Sequence, residues 1–271
     1  MSAIPELHAV SPSEAFDNVA AIFDETFENE ITKHFREKIY HLVESLAGVG
    51  SSILDINCGT GIDALALVRR GYNVLGIDVA PKMIELANVK AVREKVSALK
   101  FLHGSFEQIT DKTDNSYDLV LSNFGGLNCV ERLASTANQV ALVTKPGGYF
   151  VATVMPPVCL WDIVSGLARF NIHAAFRRLS KNAAATGFRG KTFTVYYHTL
   201  NQLLSAFSPW FEPKQVLGLN IISPPPHATT FLRQYKKLSR WLENCDRVFA
   251  SMPGLRATGD HYLVVLRRKP S

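Results

Sequence analysis

A short apolar run that ends in a carboxylate and leads into closely spaced glycines constrains this chain most. The run ends in Asp55, and Gly59 and Gly61 follow it. Apolar spacing then predicts a helix over residues 62–70, and a second apolar run ends in Asp78. Glycine lets the backbone approach a ligand closely, and the start of the helix directs its N–H groups at that ligand. A carboxylate about 20 residues beyond such a turn accepts both hydroxyls of a ribose, so the pattern predicts a nucleoside site.

Two classes of nucleoside ligand suit this pattern. Residues 59–64 fit the loose G-x-G-x-x-G/A pattern of NAD or FAD sites. Charge separates the two classes, because a pyrophosphate needs a neutral or positive cradle and Asp55 would repel it. The same carboxylate would attract S-adenosylmethionine, which carries a sulfonium and an ammonium. The sequence therefore favours a cationic cofactor over a dinucleotide.

The glycine turn also resembles the first signature of class I S-adenosylmethionine-dependent methyltransferases. That signature is usually D-x-G-C-G-T-G, and Asn57 stands here where glycine is commoner. The later signatures of the family are matched in order by residues 74–83, 101–106, 117–124 and 142–150. Ser105 departs from the pattern, because many relatives have aspartate there to accept from the adenine amino group. Five segments in register are far more specific than the glycine turn alone.

The resemblance implies a Rossmann-like α/β fold with a doubly wound, mostly parallel sheet of seven strands, an antiparallel edge hairpin and a helical lid insertion. N-terminal helices over residues 1–50 would cover the cofactor site, and residues 51–154 would form the cofactor-binding core. Residues 155–195 would form the lid over the substrate. Residues 196–271 would complete the sheet and carry a further helical insertion.

Apolar patterning predicts the elements that follow the core. Lid helices are expected within residues 161–179, strands over 192–198, 216–222 and 262–267, and helices over 200–207 and 230–249. The lid should bring Trp161, Phe170, Phe176 and Phe188 toward the cleft. An enclosed site of this kind suits an acceptor that is partly apolar.

The resemblance assigns S-adenosyl-L-methionine, and its product S-adenosyl-L-homocysteine, to a defined set of residues. Asp78 would hold the ribose, and Asn57 would either hydrogen-bond to the methionine end or fill the space beside it. Arg36 would pair with the cofactor's carboxylate, or else be a solvated helix residue. The expected cofactor contacts are Phe23, Arg36, Asp55, Asn57, Gly59, Gly61, Asp78, Val79, Met83, Gly104, Ser105, Phe106, Asn123 and Phe124.

The acceptor site is less constrained, because the cofactor supplies the activation for methyl transfer and no obligatory catalytic motif follows. Asn128, Trp161 and Tyr197 are candidates for the substrate pocket, and His198 is a candidate for a general base. Residues 123–126 lack the prolines and the tyrosine of the N-P-P-Y motif by which some relatives methylate planar amines. The expected acceptor is a small, partly apolar molecule, and the accepting atom stays open.

Composition leaves two alternative functions open. The net charge of +5 and the pI near 9.0 would suit an RNA methyltransferase, with basic residues concentrated in 169–191 and 233–237. No RNA-binding module is recognisable, so nucleic acid is disfavoured as a partner. The second alternative is a non-catalytic S-adenosylmethionine-binding protein, because a fold does not imply a function.

Cysteine usage and hydropathy bound the remaining possibilities. The four cysteines are scattered without a C-x-x-C pair and the histidines are not clustered, so the sequence predicts no metal site, no disulfide framework and no catalytic thiol. No apolar stretch in the sequence is long enough to span a membrane, and the N-terminus lacks the pattern of a secretion signal. We therefore expect a cytoplasmic enzyme.

Overall fold

Strands and helices alternate through the first half of the chain, as the apolar pattern predicts. The structure is a computed structural model that describes residues 8–96, 99–113, 116–179, 183–185 and 191–270. Its strands are β1 (His8–Ala9), β2 (Ser52–Asp55), β3 (Asn73–Asp78), β4 (Lys100–His103), β5 (Tyr117–Ser122), β6 (Thr144–Val154), β7 (Ala183–Ala185), β8 (Lys191–Val195), β9 (Phe211–Leu219) and β10 (His261–Arg268). Its α-helices are α1 (Pro12–Asp17), α2 (Phe23–Phe27), α3 (Glu30–Leu46), α4 (Ile62–Arg69), α5 (Pro81–Arg93), α6 (Ile109–Lys112), α7 (Leu133–Val143), α8 (Leu160–Ala168), α9 (Ile172–Phe176), α10 (Leu200–Phe207), α11 (Thr229–Gln234) and α12 (Lys236–Phe249). Short 3-10 helices span Ala20–Ile22, Gly126–Cys129 and Arg177–Leu179.

The main sheet has seven strands in the order β4-β3-β2-β5-β6-β10-β9. Neighbours from β4 to β6 are parallel, and β10 runs antiparallel to both β6 and β9. The predicted fold class, including the antiparallel hairpin at the edge, is therefore confirmed. The strand order reverses between β2 and β5, and ligands of such sheets bind at the carboxyl edge beside that reversal.

Two apolar clusters cover the two faces of this sheet. Consecutive residues of β2 point to opposite faces, so Ile53 belongs to the cluster that includes α3 and α4, whereas Leu54 belongs to the cluster that includes α7 and α10. In the second cluster the rings of Phe150 and Phe207 stack with their centroids 4.9 Å apart. Because both faces of the sheet are covered, the central strands are apolar throughout. The carboxyl edge of the sheet is left open to a ligand.

A small second sheet contains three strands. It has the order β1-β8-β7, so the strand predicted over residues 192–198 lies outside the main sheet. This strand is β8 and ends at Val195, because the N–H of Tyr196 donates instead to the carbonyl of Asn128 at 2.8 Å. Thr199 then begins α10 with a capping box. The N-terminus and the expected lid segment are thus joined through β1 and β8.

Two later elements also differ in their bounds. The strand predicted over residues 216–222 begins earlier, as β9, and ends at Leu219 because Asn220 has a φ of +50°. The single helix predicted over residues 230–249 is divided at Tyr235 into α11 and α12. The predicted α10 helix and the final strand β10 lie where the pattern placed them.

Candidate cofactor and acceptor site

The glycine turn joins β2 to α4 at the carboxyl edge of the sheet. Gly61 caps α4 with a φ of +81°, and a Cβ built there would lie 2.7 Å from the ring of Phe101 on β4. Gly59 has a φ of +53°, and a Cβ built on it would meet nothing within 4 Å. Gly61 is thus required by close packing against a neighbouring strand, whereas Gly59 faces open space in which a ligand can approach the backbone.

Asp78 holds this turn against the end of β3. One carboxylate oxygen accepts from the N–H of Gly59 at 2.8 Å, and the other accepts from the N–H of Ala80 at 2.9 Å. Burial raises the pKa of Asp78, although these two backbone N–H groups act in the opposite direction. Each oxygen keeps a lone pair, so the expected ribose contact is compatible with this geometry.

Asp55 is the least satisfied group of the site. It is buried at the end of β2, and neither of its carboxylate oxygens accepts a hydrogen bond within the described part of the chain. Its pKa lies well above the usual range, because burial disfavours the charged form and because the nearby carboxylate of Asp63 repels it. A cationic ligand would relieve both effects and a pyrophosphate would worsen them. The residues present therefore fit S-adenosylmethionine and do not fit a dinucleotide.

Asn57 turns its side chain toward the protein. Its Nδ2 donates to the carbonyl of Asn123 at 2.6 Å, and its Oδ1 accepts from the hydroxyl of Ser122 at 2.7 Å. A Cβ built on Gly126 would lie 2.3 Å from the Cγ of Asn57, so this glycine leaves the space that the asparagine fills. The unusual residue of the first signature ties the glycine turn to the end of β5.

Arg36 is neither a solvated residue nor a free guanidinium. It is buried on α3, with its Nη2 2.9 Å from Glu28 and its Nη1 2.5 Å from Asp63. Burial alone would lower the pKa of Arg36, but Asp63 and Glu28 raise it overall. The expectation of a solvated helix residue is thus wrong, and the expected pairing with the cofactor's carboxylate would have to share a guanidinium that two protein carboxylates already hold.

The short N-terminal helices lie against the turn and the start of α5. The hydroxyl of Thr60 donates to Asp24 of α2 at 2.5 Å, and Lys90 also pairs with Asp24. Phe23 packs on a cluster that contains the buried side chain of Met83. The hydroxyl of Ser13 donates to the carbonyl of Val79 at 2.8 Å, which anchors α1 on the same side. These contacts place the aromatic and acidic residues of the N-terminus beside the predicted ribose site.

The residues expected near the adenine lie after β4. The N–H of Gly104 donates to the carbonyl of Asp78 at 2.9 Å, and a Cβ built on Gly104 would lie 2.9 Å from the side chain of Lys112. The Ser105 hydroxyl oxygen accepts from the N–H of Glu107 at 3.3 Å, and Phe106 packs against the core. The hydroxyl proton of Ser105 remains available as a donor, so its contact with adenine stays a prediction.

The end of β5 is held by a dense hydrogen-bond network. The amide nitrogen of Asn123 donates to Asp63 at 3.1 Å, and its oxygen accepts from Thr153 at 3.0 Å. The next residue, Phe124, has a φ of +50°, with its ring 4.8 Å from that of Phe35 and 4.4 Å from the guanidinium of Arg36. A bulky residue in the left-handed region is strained, and such strain concentrates at functional sites. Asn123 is thus buried and held by protein partners, whereas Phe124 is partly buried, and contact of either residue with the cofactor stays a prediction.

Two predicted acceptor residues have structural partners instead. Asn128 is buried, and its amide donates to the carbonyls of Met155 and Tyr196 and accepts from the N–H of Met155. His198 is buried as well, and its Nε2 lies 2.8 Å from the carbonyl of Val130. Burial lowers the pKa of His198. We assign both side chains to joining the second sheet to the core rather than to contact with an acceptor.

One histidine that was not predicted as a site residue, His261, lies at the carboxyl edge of the sheet. Because Tyr262 of β10 pairs with Val154 at the end of β6, His261 is placed at the carboxyl edge of the sheet. Its Nδ1 lies 3.1 Å from Asp260, and a Cβ built on Gly125 would lie 3.6 Å from its Nε2. Its ring centroid is 5.9 Å from that of Phe35. A carboxylate that accepts the Nδ1 proton leaves Nε2 as a base.

The sequence held a signal for this histidine. His261 opens the last strand, and the resemblance predicts that this strand runs antiparallel to the others. The start of an antiparallel strand meets the ends of its parallel neighbours, so strand direction alone would have placed His261 beside the end of β5 and β6.

An ion-pair network connects this histidine to the lid. Arg178 is buried and donates to Asp260 at 2.6 Å and to Asp162 of α8 at 2.8 Å. Burial alone would raise the pKa of Asp260, but His261 and Arg178 hold it well below its usual range. The guanidinium also lies 5.7 Å from the ring of Tyr197. Tyr197, a predicted pocket residue, is thus half-buried beside the network.

The lid aromatic residues do not all face the cleft. Trp161 packs edge-on against Phe231 of α11, with ring centroids 5.0 Å apart. Phe170 is almost fully exposed and Phe176 is exposed, so the expectation that these two rings turn inward is wrong. The reason is that the hairpin of α8 and α9 turns its buried Asp162 inward, toward Arg178. Phe188 lies outside the described residues.

Cys58 lies in the glycine turn, and Cys129 lies in the 3-10 helix that follows β5. Burial raises the pKa of Cys58 well above its usual value and that of Cys129 to about 12, so both thiols stay protonated. Within the described ranges, no group of three or more potential ligands is arranged to hold a metal ion. In the same part of the chain, no helix combines the length and apolar character needed to cross a bilayer.

The fold and the glycine turn define a Rossmann-like protein of the methyltransferase type, and comparisons with known proteins agree. Residues 54–152 match the family model described as "Methyltransferase domain". The ubiquinone biosynthesis O-methyltransferase of Paracidovorax citrulli is 32% identical over 112 residues, which are 39% of this chain and 44% of that protein. The chain therefore spans less than half the length of the curated relatives that it matches.

Two solved structures show the same fold over most of the chain. One is the putative S-adenosylmethionine-dependent methyltransferase from Listeria monocytogenes, with a TM-score of 0.58, 18% identity and coverage of 86% of this chain and 98% of that one. The other is the [4+2]-cyclase SpnF, with a TM-score of 0.61, 16% identity and coverage of 97% and 98%.

Residues 54–152 of this chain therefore carry a methyltransferase domain, and the sheet around them has the fold of class I S-adenosylmethionine-dependent methyltransferases. S-adenosyl-L-methionine is the cofactor of that class.

Proposed function

We propose that this protein transfers the methyl group of S-adenosylmethionine to a hydroxyl of a small, partly apolar molecule. The cofactor half of the proposal rests on the buried carboxylate of Asp55, which accepts no hydrogen bond from the described residues, and on the open space at Gly59. The names of the matched relatives, O-methyltransferases of ubiquinone biosynthesis, support a hydroxyl acceptor. Because a cyclase shares the fold, the residues of the site and not the fold carry the choice of reaction.

Each part of the site has a task in this proposal. Asp55 would attract the cationic cofactor, Gly59 would let it approach the backbone, and Asp78 would hold the ribose. The bound cofactor supplies an activated methyl group. Phe124 and Phe35 would form an apolar wall that excludes water and positions the acceptor, whose oxygen must come within about 3–3.5 Å of the methyl carbon.

His261 would accept the proton of the acceptor hydroxyl through its Nε2. Asp260 accepts from Nδ1 and so fixes the tautomer and the direction of the ring. Arg178 holds Asp260 in place and connects it to α8, which makes it a positioning residue. The predicted division into N-terminal cover (1–50), core (51–154), lid (155–195) and sheet completion (196–271) belongs to this proposal, and so does a cytoplasmic location.

Calorimetric titration with S-adenosylhomocysteine tests the cofactor, with NAD as the parallel control. We expect S-adenosylhomocysteine to give a binding signal and NAD to give none. The reverse pattern would overturn the proposal, because the charge of Asp55 would then have failed to select the cofactor. A panel of phenols, catechols, amines and thiols with labelled S-adenosylmethionine then tests the acceptor, and transfer only to nitrogen or sulfur would exclude the hydroxyl.

A further inference from the structure

The hairpin of α8 and α9 is inverted in part, because it buries the carboxylate of Asp162 and exposes most of its large apolar side chains. Asp162 is buried and pairs with the buried Arg178. On the outside, Phe170 at the turn is 96% exposed and Ile172 is 68% exposed. Val164, Leu167, Phe176 and Leu179 of the same segment are exposed as well. A water-soluble hairpin would show the opposite arrangement.

Close packing of the two helices fixes this arrangement. A Cβ built on Gly166 of α8 would lie 2.6 Å from the backbone nitrogen of Ala175 on α9. Phe170 adopts a φ of +52°, a conformation that is unfavourable for a bulky residue. The turn thus holds a large aromatic side chain outward at a cost in backbone strain, although the side chain contributes little to the packing of the chain itself.

Helix α12 is inverted in the same way. Asp246 is buried and accepts from the N–H groups of Ile222 and Ser223 at 2.9 and 3.3 Å. On the far side of the helix, Trp241 is 59% exposed, and Val248, two turns later, is exposed too. The polar anchor therefore points inward and an apolar stripe points to solvent.

Aromatic contacts connect the two exposed faces. Trp161 of α8 packs on Phe231 of α11, and Phe231 lies 4.9 Å from Tyr235, the residue that precedes α12. We call the exposed apolar side chains of the hairpin and of α12 together the outer apolar face. Two separate helical segments that turn apolar residues outward on adjoining parts of the fold indicate a surface that is covered in use.

Exposed cations belong to the same segments of the chain as the outer apolar face or directly precede them. They are Arg169, Arg233, Lys236, Lys237, Arg240 and Arg247. These residues belong largely to the two basic segments that the sequence shows and that methyl transfer does not require. Apolar side chains bordered by lysine and arginine are the composition of helices that lie in the interface of an anionic bilayer.

We propose that the outer apolar face docks this protein on an anionic lipid surface. Phe170, Ile172 and Trp241 would enter the headgroup region, and the cations would lie at the lipid phosphates. RNA is a weaker match, because phosphate and base contacts need no exposed aliphatic side chains. The proposal goes beyond methyl transfer and does not depend on it.

Vesicle sedimentation with the full chain tests the proposal. The lipids are phosphatidylcholine alone and phosphatidylcholine mixed with phosphatidylglycerol. Wild type should sediment with the anionic vesicles, less so as salt is raised, and weakly with phosphatidylcholine alone. The double variant Phe170→Ser, Ile172→Ser should lower the partition coefficient by about tenfold or more, since two large apolar side chains no longer enter the interface.

Controls separate docking from general apolar adhesion and from misfolding. Val89 and Val92 on α5 are 58% and 79% exposed, and Val89→Ser, Val92→Ser should leave vesicle binding unchanged. Arg240→Glu should weaken binding to the anionic vesicles only. Thermal unfolding and S-adenosylhomocysteine titration should give wild-type values for all variants, and that titration reports separately on the proposed cofactor site.

Three results would overturn docking on lipid. The first is wild type that stays in the supernatant with anionic vesicles at low salt. The second is an equal loss of binding in the α5 control variant. The third is a wild-type dimer in light scattering that Phe170→Ser, Ile172→Ser converts to a monomer while neither protein binds vesicles, which would assign the face to a second copy of this chain.

Discussion

Replacing Asp55 by asparagine should stabilise the empty protein and weaken its binding of S-adenosylhomocysteine. Both effects come from one feature, a buried carboxylate whose oxygens accept no hydrogen bond within the described residues. Asparagine keeps the shape and removes the charge. The opposite signs of the two effects separate this prediction from ordinary damage to a core, which lowers stability and binding together.

The gain in stability depends on pH, and the raised pKa of Asp55 determines whether the gain grows or shrinks as the pH rises. Folded Asp55 keeps its proton at pH values at which the unfolded carboxyl, with a pKa of about 4, has lost it. Wild-type stability therefore falls as the pH rises from about 4 toward the raised pKa, by about 1.4 kcal/mol for each pH unit in that interval. The stability of Asp55→Asn should equal that of wild type below about pH 4. It should exceed that of wild type by a growing amount as the pH rises toward the raised pKa.

The binding effect follows from the lost attraction to the cationic cofactor. Opposite unit charges about 4 Å apart attract by about 4 kcal/mol at an effective dielectric constant of about 20, and desolvation offsets part of this. A net contribution of about 1.5–3 kcal/mol corresponds to a rise in Kd of about 10- to 100-fold. Calorimetric titration at neutral pH measures this change directly.

Asp118→Asn is the matched control. Asp118 lies at the amino end of β5, where Lys145 and the N–H of Ser52 hold its pKa below the usual range against the effect of burial. This variant should lose stability at neutral pH and keep its affinity for S-adenosylhomocysteine. An Asp55→Asn protein that is less stable than wild type at neutral pH, or that binds the ligand as tightly, would show that Asp55 is neither a buried cost to stability nor an attraction for the cofactor.

Three further predictions concern the acceptor side and the glycine turn. His261→Asn should lower kcat by about 100-fold or more, because the proton acceptor is gone; Kd for S-adenosylhomocysteine should not change, and an unaltered kcat would exclude His261 as the base. Gly126→Ala should destabilise the protein by about 1–3 kcal/mol, because the new methyl group meets Asn57; in an Asn57→Gly background the same change should cost much less, and additive losses in chemical unfolding would contradict the contact. Arg178→Met should cost about 3–5 kcal/mol of unfolding free energy by removing the buried cation that Asp162 and Asp260 share, and a stability close to wild type would show that Asp260 does not rely on it.

Local chemistry and periodicity determined the cofactor-binding half from the sequence. Parallel strands buried on both faces appear as apolar runs, and glycine at a strand end identifies a turn that no other residue adopts easily. Asp55 and Asp78 are the last residues of their strands, so their places at the carboxyl edge needed no tertiary information. The seven-stranded sheet and its antiparallel hairpin followed from the same pattern together with the family resemblance.

Tertiary structure alone decided how the polar side chains pair. The sequence contains no distance between Arg36 and Asp63, which are 27 positions apart, and their ion pair at 2.5 Å changes the role that was expected for the arginine. In the same way, Asn128 and His198 have the residue types of a binding site, but each is held by backbone groups from another part of the chain. Hydrogen-bonding capacity is a property of a residue, whereas its use depends on which backbone groups the fold leaves without partners.

The lid shows the same division most clearly. Its alternation of apolar and basic residues predicted helices within residues 161–179, where α8 and α9 lie, because periodicity is a local property. Which face would turn inward depended on one long-range event, the burial of Asp162 against Arg178 and Asp260. An unpaired buried charge costs more free energy than an exposed apolar side chain. The ion pairs therefore set the orientation of the hairpin of α8 and α9, and Phe170 is exposed to solvent.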